Sequence, residues 1–555
     1  MSNSNNLNHK TEKNCCQIAI NNTNRNGNGN GNGKEPVTEI DLTNNVDKLN
    51  IEFSDNVIQK SIELKNKANQ YFKKESYLES VNLYSKAIEM YPNDAVYWAN
   101  RSFANLKLEF FGQSLSDAVK AFQINPKYIK AIYRQACAYI GLSDLKKAVQ
   151  LFKKVTAAYP NDSDAKNRYL SCKKLVQQQA FCKAMSSDIE VNRTNFKNIE
   201  VSASYDGPSF EDDNVTPEFA LQLVDYLKNQ KLLHKKYVYK IIELSTALFS
   251  KQKSLVDVDI PEKGIFNVCG DVHGQFYDLL NIFSQTGYPS NKNAFVIFLM
   301  FIYTLFNGDF VDRGSFSIEC ILILLTFKLC YPDHFFMARD KVFETDNLSR
   351  LSLEIGNHET INMNQVYGFD GEVRSKYSSE MIPLFTNLFN QLPLAHVIDK
   401  KIFVTHGGLV DRDITLNEIR EIKRNCQPID NTPMCQLLWS DPHELNGCLP
   451  SKRGIGVQFG PNITNNFINL NNLDYVIRSH EVKQRGFEEM HNGKCITVFS
   501  APNYCDSMGN MGAYITLTKE NTSPTFHVFE AVSHPSVKPM AYANNINQYI
   551  MSMFN

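Results

Sequence analysis

Residues 307–314 read Asn-Gly-Asp-Phe-Val-Asp-Arg-Gly, and the rest of the chain is best interpreted outward from them. The stretch places two carboxylates and one guanidinium between two glycines. Upstream, residues 270–274 read Gly-Asp-Val-His-Gly, and downstream, residues 356–359 read Gly-Asn-His-Glu. Each stretch carries oxygen or imidazole groups on a short glycine-bounded turn, as metal-assisted phosphate chemistry requires. One such motif is weak evidence, but three in a fixed order predict one shared site.

Short apolar runs precede these polar stretches. Ile265–Val268 lies before the first stretch, Tyr303–Phe306 before the second, and Ile402–Val404 before a His-Gly-Gly at 406–408. We expect the runs to be strands that carry the polar residues on loops at one rim of a sheet. Residues 217–250 show an apolar pattern of helical period instead.

Six residues in this region are candidate metal ligands: Asp271, His273, Asp309, Asn357, His406 and His480. Carboxylate, imidazole and amide oxygen suit divalent transition metals better than a soft thiolate site would. Six ligands suit two metals if one carboxylate bridges them, and Asp309 is the natural bridge. We therefore expect two divalent cations per subunit, with Mn, Fe, Zn and Mg all left open.

The same region resembles the phosphoprotein phosphatase family of serine/threonine phosphatases over about residues 206–540. The motifs that carry the resemblance are GDVHG, GDFVDRG, GNHE, THGG (405–408), LLWSDP (437–442), RSHE (478–481) and SAPNYCD (500–506). It implies one metal held by Asp271, His273 and Asp309, and a second held by Asp309, Asn357, His406 and His480. The expected activity is hydrolysis of phosphoserine and phosphothreonine by a hydroxide bound to the two metals.

The resemblance also implies roles for residues around the metals. Arg313 and Arg453 match arginines that grip the phosphate, where a guanidinium fork suits a phosphate better than a lysine does. Tyr504 matches a tyrosine at the rim of the site. His358 matches the general acid that protonates the leaving oxygen, and Asp312 matches the carboxylate that orients that imidazole.

The preceding part of the chain contains an internal repeat. Pro92, Pro126 and Pro160 are spaced by 34 residues, and the same residue types recur at fixed offsets before them. Small residues recur at 68, 102 and 136, and large apolar ones at 72, 106 and 140 and at 77, 111 and 145. The pattern resembles three tetratricopeptide repeats over about 61–163, with a capping helix to about 182. Such repeats form a concave surface that binds peptides.

Five polar residues match the carboxylate clamp of the repeats that bind acidic chaperone tails: Lys65, Asn69, Asn100, Lys130 and Arg134. Cationic and amide side chains can together hold a C-terminal carboxylate and an acidic side chain. The implied partner is the C-terminal tail of the ninety-kilodalton heat-shock chaperone. A solvated basic face is the alternative interpretation.

These patterns predict a multidomain protein: an all-α tetratricopeptide superhelix followed by an α/β metallophosphatase domain with a central β-sandwich flanked by helices. We expect a disordered Asn/Gly-rich tail at 1–55, repeats and capping helix at 56–182, a linker at 183–205, the catalytic domain at 206–540 and a regulatory helix at 541–555. The terminal helix rests on apolar residues at 540, 546, 549, 550 and 553.

Composition points to a protein of the cytoplasm and nucleus. Thirteen cysteines without regular spacing favour reduced thiols, and the N-terminus carries no apolar signal segment. A net charge of −1 predicts no nucleic-acid partner. The apolar run Ala294–Phe306 is shorter than the roughly 20 residues that span a bilayer, so we expect no membrane span. The family resemblance implies phosphoproteins as substrates.

Two features depart from the family pattern. The arginine that normally precedes Gly-Asn-His-Glu is replaced by Ile355, and extra residues occur around Met337–Glu354 and within the run before Asn307. Three explanations are open: the extra residues form a loop without effect on activity, they lower the activity, or they are translated non-coding sequence. Sequencing the transcript distinguishes the last explanation from the others.

The departures leave alternative functions open. A chaperone-binding scaffold with an impaired phosphatase domain is one, and a phosphoesterase acting on small esters is another.

In relatives that join such repeats to this catalytic domain, the repeats cover the cleft. Glu109 matches a repeat-domain glutamate that meets the cleft, so autoinhibition is expected.

Overall fold

The structure is a computed structural model. It describes residues 54–142, 144–186, 199–289, 301–339, 364, 367–426, 428, 429 and 431–543, with side chains of 178–186 excluded. Outside these residues lie residues 1–53 of the predicted tail, most of the extra residues predicted within the run before Asn307 and around 337–354, Ile355, Asn357, His358 and most of the predicted terminal helix.

The repeat region is entirely helical. Its helices are α1 (Asp55–Lys73), α2 (Tyr77–Met90), α3 (Ala95–Lys107), α4 (Phe111–Ile124), α5 (Ile129–Gly141), α6 (Leu145–Ala158) and α7 (Ser163–Ser186). Helices α2, α4 and α6 each end two residues before one of the repeated prolines, which have no backbone N–H to extend them. The predicted tetratricopeptide superhelix is confirmed.

Small side chains at equivalent positions let the paired helices approach closely. Ala68, Ser102 and Ala136 are completely buried. The hydroxyl of Ser80 donates to the carbonyl of Ala68 at 3.1 Å, and that of Ser102 donates to the carbonyl of Ser114 at 2.9 Å. Both bonds cross between the two helices of a repeat, so the small residues mark the contact line that their 34-residue spacing predicts.

The C-terminal region combines strands and helices. The strands are β1 (Leu255–Val258), β2 (Gly264–Cys269), β3 (Phe301–Asn307), β4 (Phe335–Ala338), β5 (Ala395–Ile398), β6 (Ile402–Thr405), β7 (Asp441–Pro442), β8 (Cys448–Pro450), β9 (Val457–Phe459), β10 (Tyr475–Arg478), β11 (Phe487–Met490), β12 (Cys495–Val498), β13 (Gly512–Leu517) and β14 (Thr525–Phe529). The helices are α8 (Pro217–Lys228), α9 (Lys235–Ser250), α10 (Phe276–Thr286), α11 (Ser317–Cys330), α12 (Phe369–Lys376), α13 (Ile382–Gln391), α14 (Leu416–Arg420), α15 (Pro433–Trp439) and α16 (Pro461–Asn471).

Two large sheets form the predicted sandwich. One has the strand order β1-β5-β6-β10-β12-β11 and the other β14-β13-β2-β3-β4, and β7-β9-β8 form a small third sheet. A single core cluster contains Phe266, Leu305 and Ile515 from one large sheet with Val404 and Ile477 from the other. Alternate side chains of both sheets therefore fill the layer between them, which confirms the fold class.

Parallel pairing brings the polar loops to one rim. In one sheet β2 runs parallel to β3, with Cys269 opposite Phe306, and in the other β6 runs parallel to β10, with Val404 opposite Ile477. The carboxyl ends of parallel strands lie at the same edge. The side chain of Asn307 then joins the sheets by donating to the carbonyl of Thr405 at 2.8 Å and to the hydroxyl of Ser479 at 3.0 Å.

One local expectation changes. Met540 was expected on a terminal helix, but it lies in a turn with φ +54°, and residues 541–543 continue this turn. Residues 301–306, the described part of the apolar run before Asn307, lie in β3, and no helix in the described ranges is both long and apolar enough to cross a membrane.

An arginine does stand at the end of β4, although Ile355 precedes Gly356. Arg339 directly follows this strand and is completely buried. Its guanidinium donates to the carbonyls of Asn390, Arg424 and Cys426 and, at 2.8 Å, to Oδ1 of Asn390. The departure from the family pattern is therefore best described as residues 340–355 inserted between an arginine and Gly-Asn-His-Glu.

Candidate active site

Backbone hydrogen bonds interlock the first two polar loops. The N–H groups of Val272 and His273 donate to the carbonyl of Asp309 at 3.0 and 2.8 Å, and the N–H of Gly314 donates to the carbonyl of His273 at 2.8 Å. His273 and Asp309 have φ of +47° and +48°, in the left-handed region that non-glycine residues rarely occupy. Strained backbone of this kind clusters at functional sites, because the surrounding contacts hold it in place.

The glycines of the central stretch allow this close approach. A Cβ at Gly308 would lie 2.4 Å from Nδ1 of His406, and one at Gly314 would lie 2.3 Å from the carbonyl oxygen of His273. Any side chain at these positions would displace a residue of the site. The two glycines that frame the acidic stretch are therefore required by packing.

Five of the six predicted ligands converge in two overlapping groups. Asp271, His273 and Asp309 form one group, and Asp309, His406 and His480 form the other, with ligand atoms within 4.8 Å of one another in each. Nε2 of His273 lies 3.2 Å from Oδ2 of Asp309, and Nε2 of His406 lies 3.6 Å from the same oxygen. Asp309 belongs to both groups, as a bridging ligand would.

The hydrogen bonds of His406 identify its metal-facing nitrogen. Its Nδ1 lies 2.8 Å from the carbonyl oxygen of Asn307 and must donate to it, so Nε2 carries the lone pair. That Nε2 lies only 3.1 Å from Nδ1 of His480 and faces Asp309. A carbonyl behind one ring nitrogen is the usual way to orient a metal-ligating histidine.

The donor set fits divalent cations. Asp271 and Asp309 are both almost completely buried, and the backbone N–H of His480 donates to Oδ1 of Asp271 at 3.1 Å. Oδ2 of Asp271 is buried and accepts no hydrogen bond from any described residue. Buried carboxylates with histidine nitrogens beside them are stable when a cation compensates their charge.

Asp312 directly precedes Arg313, one of the two predicted phosphate-binding arginines, in the chain. Its Oδ1 accepts from the backbone N–H of Phe369 at 2.9 Å and its Oδ2 accepts from Nδ2 of Asn364 at 3.0 Å. Burial raises the pKa of this carboxyl well above its usual range, and the two hydrogen bonds act in the opposite direction. Its predicted partner His358 lies outside the described residues.

The two predicted phosphate arginines are held in different ways. Arg453 donates from Nε to Oδ2 of Asp441 at 2.7 Å and from Nη2 to the carbonyl of the ligand His480 at 3.2 Å. Arg478 donates to Oδ1 of Asp441 at 2.8 Å. Burial acts to raise the pKa of the Asp441 carboxyl, but the two guanidiniums outweigh it and the pKa is lowered. Asp441 therefore stays ionised and orients Arg453.

Arg313 is buried, and its donors are directed toward the cleft. Its Nη2 donates to Oε2 of Glu109 at 2.7 Å, and its Nε donates to no described residue. Tyr504 lies beside the same space, with its ring centroid 4.9 Å from that of His273. Burial raises the pKa of the Tyr504 hydroxyl, which therefore stays protonated and can donate a hydrogen bond.

The repeat region contacts this cleft directly. Glu109 lies in the turn between α3 and α4 with φ +59°, and its carboxylate reaches Arg313. Next to it, the N–H of Gly112 donates to the carbonyl of Arg453 at 3.2 Å, and the N–H of Gln113 donates to that of Lys452 at 3.1 Å. The repeat region thus touches both predicted phosphate arginines.

An apolar cluster lies behind these polar contacts. Phe111 of α4 packs in one buried cluster with Leu438, Trp439 and Ile455 of the C-terminal region. A Cβ at Gly112 would lie 2.5 Å from Cα of Gly454, so the two backbones meet at a distance that only glycine allows. The contact has the apolar centre and polar edge typical of specific interfaces.

The predicted clamp residues lie on the first helix of each repeat. Nδ2 of Asn100 on α3 donates to Oδ1 of Asn69 on α1 at 3.3 Å, and the buried Tyr84 hydroxyl donates to the same oxygen at 2.5 Å. Lys65 precedes Asn69 by four residues on α1, and Lys130 precedes Arg134 by four residues on α5, so each pair shares one helix face. The guanidinium of Arg134 stacks on Phe103, 3.6 Å from the ring centroid.

Sequence reasoning missed three residues near these sites. Lys107 lies seven residues after Asn100 on α3 and over the ring of Phe103, and burial lowers its pKa to about 8. Asp441 holds Arg453, and Tyr367 stacks on Arg313. The i, i+7 spacing could have identified Lys107, whereas Asp441 and Tyr367 gain their positions only through contacts distant in sequence.

Two protein-family models match parts of the chain. A model described as calcineurin-like phosphoesterase matches residues 266–484, and one described as the PPP5 TPR repeat region matches residues 169–257. The first match contains the five ligands of the two overlapping groups.

Comparisons with known proteins cover most of the chain. Serine/threonine-protein phosphatase 5 of Homo sapiens is 47% identical over 500 residues, which are 89% of this chain and 95% of that protein. Serine/threonine-protein phosphatase 5 of Arabidopsis thaliana is 41% identical, covering 90% of this chain and 98% of that protein. A solved Saccharomyces cerevisiae protein serine/threonine phosphatase, described as similar to human phosphatase PP5, is 39% identical with a TM-score of 0.53, covering 59% of this chain and 100% of that one.

Proposed function

The chain belongs to the serine/threonine-protein phosphatase 5 family and is a protein serine/threonine phosphatase, and on that premise we propose that its repeat domain closes the catalytic cleft until an acidic chaperone tail binds. The observation that carries this proposal is the 2.7 Å hydrogen bond from Nη2 of Arg313 to Glu109. A carboxylate of the repeat domain uses the donor that a substrate phosphate needs.

The proposed catalytic roles follow from the chemistry of the site. Two divalent cations held by Asp271, His273, Asp309, Asn357, His406 and His480 would supply an activated water and polarise the phosphoryl oxygens. Arg313 and Arg453 hold the other phosphate oxygens, and Tyr504 closes the rim. Bidentate guanidinium–phosphate pairing fixes the phosphorus for in-line attack.

Proton transfer completes the proposed reaction. The oxygen of a water molecule bonds to phosphorus, the ester P–O bond breaks, and His358 gives its proton to the leaving serine or threonine oxygen. Asp312 orients that imidazole. The products are the free hydroxyl side chain and inorganic phosphate, with no covalent enzyme intermediate.

The repeat groove supports the second half of the proposal. Lys65, Asn69, Asn100, Lys130 and Arg134 offer cationic and amide donors, which suit a C-terminal carboxylate with an acidic side chain beside it. Helix α3 carries Asn100, and Phe103 on the same helix packs against the apolar cluster that contains Phe111 and Trp439. A tail that binds at Asn100 therefore acts on the helix whose end presents Glu109. The tail of the ninety-kilodalton heat-shock chaperone fits this chemistry, and we place this encounter in the cytoplasm and nucleus.

Two measurements test the two halves separately. The full chain with manganese should hydrolyse a phosphoserine peptide, and Asp309→Asn should abolish the turnover. Equal rates for the two proteins would overturn the proposed metal site and favour the scaffold interpretation.

The second measurement uses an acidic pentapeptide with a free C-terminal carboxylate, and the same peptide amidated is the control. Calorimetry should detect binding of the free acid, weakened about tenfold by Lys130→Ala and by amidation, since each change removes one charged hydrogen-bond partner. Equal affinity for the two peptides would contradict a carboxylate clamp.

A further inference from the structure

We propose that Tyr367 is a positioning residue that holds Arg313 for phosphate binding, and that the segment 538–543 supports it from behind. This inference rests on the proposed role of Arg313 as a phosphate ligand. It assigns a function in the active site to a ring and a C-terminal segment that the proposed mechanism does not use.

The ring of Tyr367 lies face-on to the arginine. Cζ of Arg313 is 3.7 Å from the ring centroid, and both side chains are almost completely buried. A guanidinium stacked on a desolvated aromatic face is attracted by the ring quadrupole, and its plane is fixed parallel to the ring. The contact therefore sets the orientation of the guanidinium, and a side-chain hydrogen bond between Tyr367 and Arg313 adds to it.

This arrangement contrasts with that of the second phosphate arginine. Arg453 is oriented by a carboxylate, which accepts from its Nε at 2.7 Å. Nε of Arg313 donates to no described residue, and Nη2 donates to the repeat-domain carboxylate of Glu109. Stacking thus keeps the donors of Arg313 directed at the cleft, where a phosphate can exchange with Glu109.

The backbone of Arg313 is held on both sides by the same two segments. Its N–H donates to the carbonyl of Tyr367 at 3.2 Å, and its carbonyl accepts from the N–H of Met540 at 2.9 Å. Arg313 has φ +69°, a conformation that a non-glycine residue keeps only when its surroundings impose it. Segments near 367 and 540 supply that constraint.

The C-terminal segment 538–543 packs against the ring of Tyr367. Tyr367, Met540 and Ala543 make a separate buried cluster. The hydroxyl of Ser315 donates to the carbonyl of Lys538 at 2.6 Å and accepts from the N–H of Ala541 at 3.1 Å, which fastens the segment to the arginine loop. The order from the C-terminal segment to the cleft is Met540, then Tyr367, then Arg313.

The test measures phosphate affinity in the full chain carrying Glu109→Gln, so that the repeat domain competes less strongly for Arg313. Inorganic phosphate is titrated as a competitive inhibitor of p-nitrophenyl phosphate hydrolysis with manganese. Tyr367→Leu should raise the inhibition constant about 5- to 30-fold, as expected for losing a desolvated cation–π contact. Tyr367→Phe keeps the ring and removes only the hydroxyl that bonds Arg313, so it should raise the constant by a smaller factor than Tyr367→Leu does. An unchanged constant for Tyr367→Leu overturns the inference.

A double-mutant cycle separates this inference from the proposed function. Arg313→Ala should weaken phosphate binding, and adding Tyr367→Leu to it should have no further effect. If Arg313→Ala leaves the phosphate constant unchanged, the proposed role of Arg313 fails. If Tyr367→Leu weakens binding equally with and without Arg313, the ring acts independently of Arg313 and the inference fails.

A second variant covers the case in which Tyr367→Leu does not fold. Met540→Ala keeps the Tyr367 ring and removes the side chain that packs against it. It should therefore also raise the inhibition constant for phosphate, by a smaller factor. Thermal unfolding of each variant is measured alongside. A Met540→Ala protein that is less stable but binds phosphate as well as its parent would overturn the supporting role of the 538–543 segment.

Discussion

Oε2 of Glu109 accepts a hydrogen bond of 2.7 Å from Nη2 of Arg313, although 204 positions separate the two residues in the chain. One residue belongs to a turn of the helical repeats and the other to the stretch that carries Asp309, which both candidate ligand groups share. This contact brings a repeat-domain anion onto the arginine that we propose binds the substrate phosphate, and the predictions below follow from it and from the groups around it.

Glu109→Gln should raise the basal rate of the full chain on a small phosphoester. The change removes the charge that holds Arg313 and leaves a weaker hydrogen bond. Losing part of a charged hydrogen bond should destabilise the closed arrangement by about 1–2 kcal/mol, or about 5- to 30-fold in rate while the closed form predominates. Initial rates with manganese measure the effect.

The matched control is Glu75→Gln. Glu75 lies one repeat earlier, in the equivalent turn, and has a similar backbone conformation with φ +62° against +59° for Glu109. Its basal rate should equal that of the unmodified chain. Equal activation by both substitutions would mean that loosening any repeat turn, and not the contact with Arg313, controls the cleft.

Gly112→Ala should also activate the enzyme, through sterics alone. The new Cβ would lie 2.5 Å from Cα of Gly454, which forces the two backbones apart and breaks the bond to the Arg453 carbonyl. Gln113→Ala keeps its backbone N–H and should leave the rate unchanged. A Gly112→Ala chain with the unmodified rate would show that the repeat domain can move from this contact without opening the cleft.

Binding of an acidic tail peptide should weaken as pH rises from 7 to 9. The pKa of Lys107 is lowered to about 8, mainly by burial and to a smaller extent by the cationic neighbour Arg134. The ammonium is therefore charged below that pH and neutral above it. An anionic peptide favours the charged form. Lys107→Arg stays charged throughout this range and should flatten the dependence measured by calorimetry. A peptide affinity that falls equally in Lys107→Arg would place the titrating group elsewhere.

Asp441→Asn should cost about 3–5 kcal/mol of unfolding free energy, because it leaves two buried guanidiniums without their shared carboxylate. Asp257→Asn is the matched control: its ion pair with Arg420 is exposed and should contribute less than about 1 kcal/mol. The pKa of Asp441 is lowered, so its contribution is present above the pH where free aspartate titrates and is lost in acid. Denaturant titrations should therefore show the penalty of Asp441→Asn shrinking below pH of about 4. Equal losses for the two variants would contradict the assigned role of Asp441.

The repeats and the strands could be predicted because their patterns are local. A 34-residue period places Ala68, Ser102 and Ala136 on the helix contact line, and runs such as Ile402–Val404 are long enough for buried strands. Glycine-bounded turns after those strands predicted that Asp271, Asp309 and His406 would meet, and they do. Parallel pairing in both sheets is the reason, since it brings strand ends to one rim.

The supporting residues could not be predicted in this way. Tyr367 and Met540 meet Arg313 through pairings between distant segments, and neither residue has a local pattern that marks it. The terminal apolar residues suggested a helix beginning near Met540, but tertiary contacts with the arginine loop place that residue in a left-handed turn. Backbone bonds to Arg313 and Ser315 override the helical spacing there.

The most direct test is the rate of phosphoserine-peptide hydrolysis by the full chain, with and without the free-acid pentapeptide, in the unmodified and Glu109→Gln proteins. The account predicts that the peptide raises the rate of the unmodified chain, that its amidated form does not, and that Glu109→Gln starts high and gains little. A peptide that binds the groove but leaves the unmodified rate unchanged, or that activates Glu109→Gln just as strongly, would contradict closure through the Glu109–Arg313 contact.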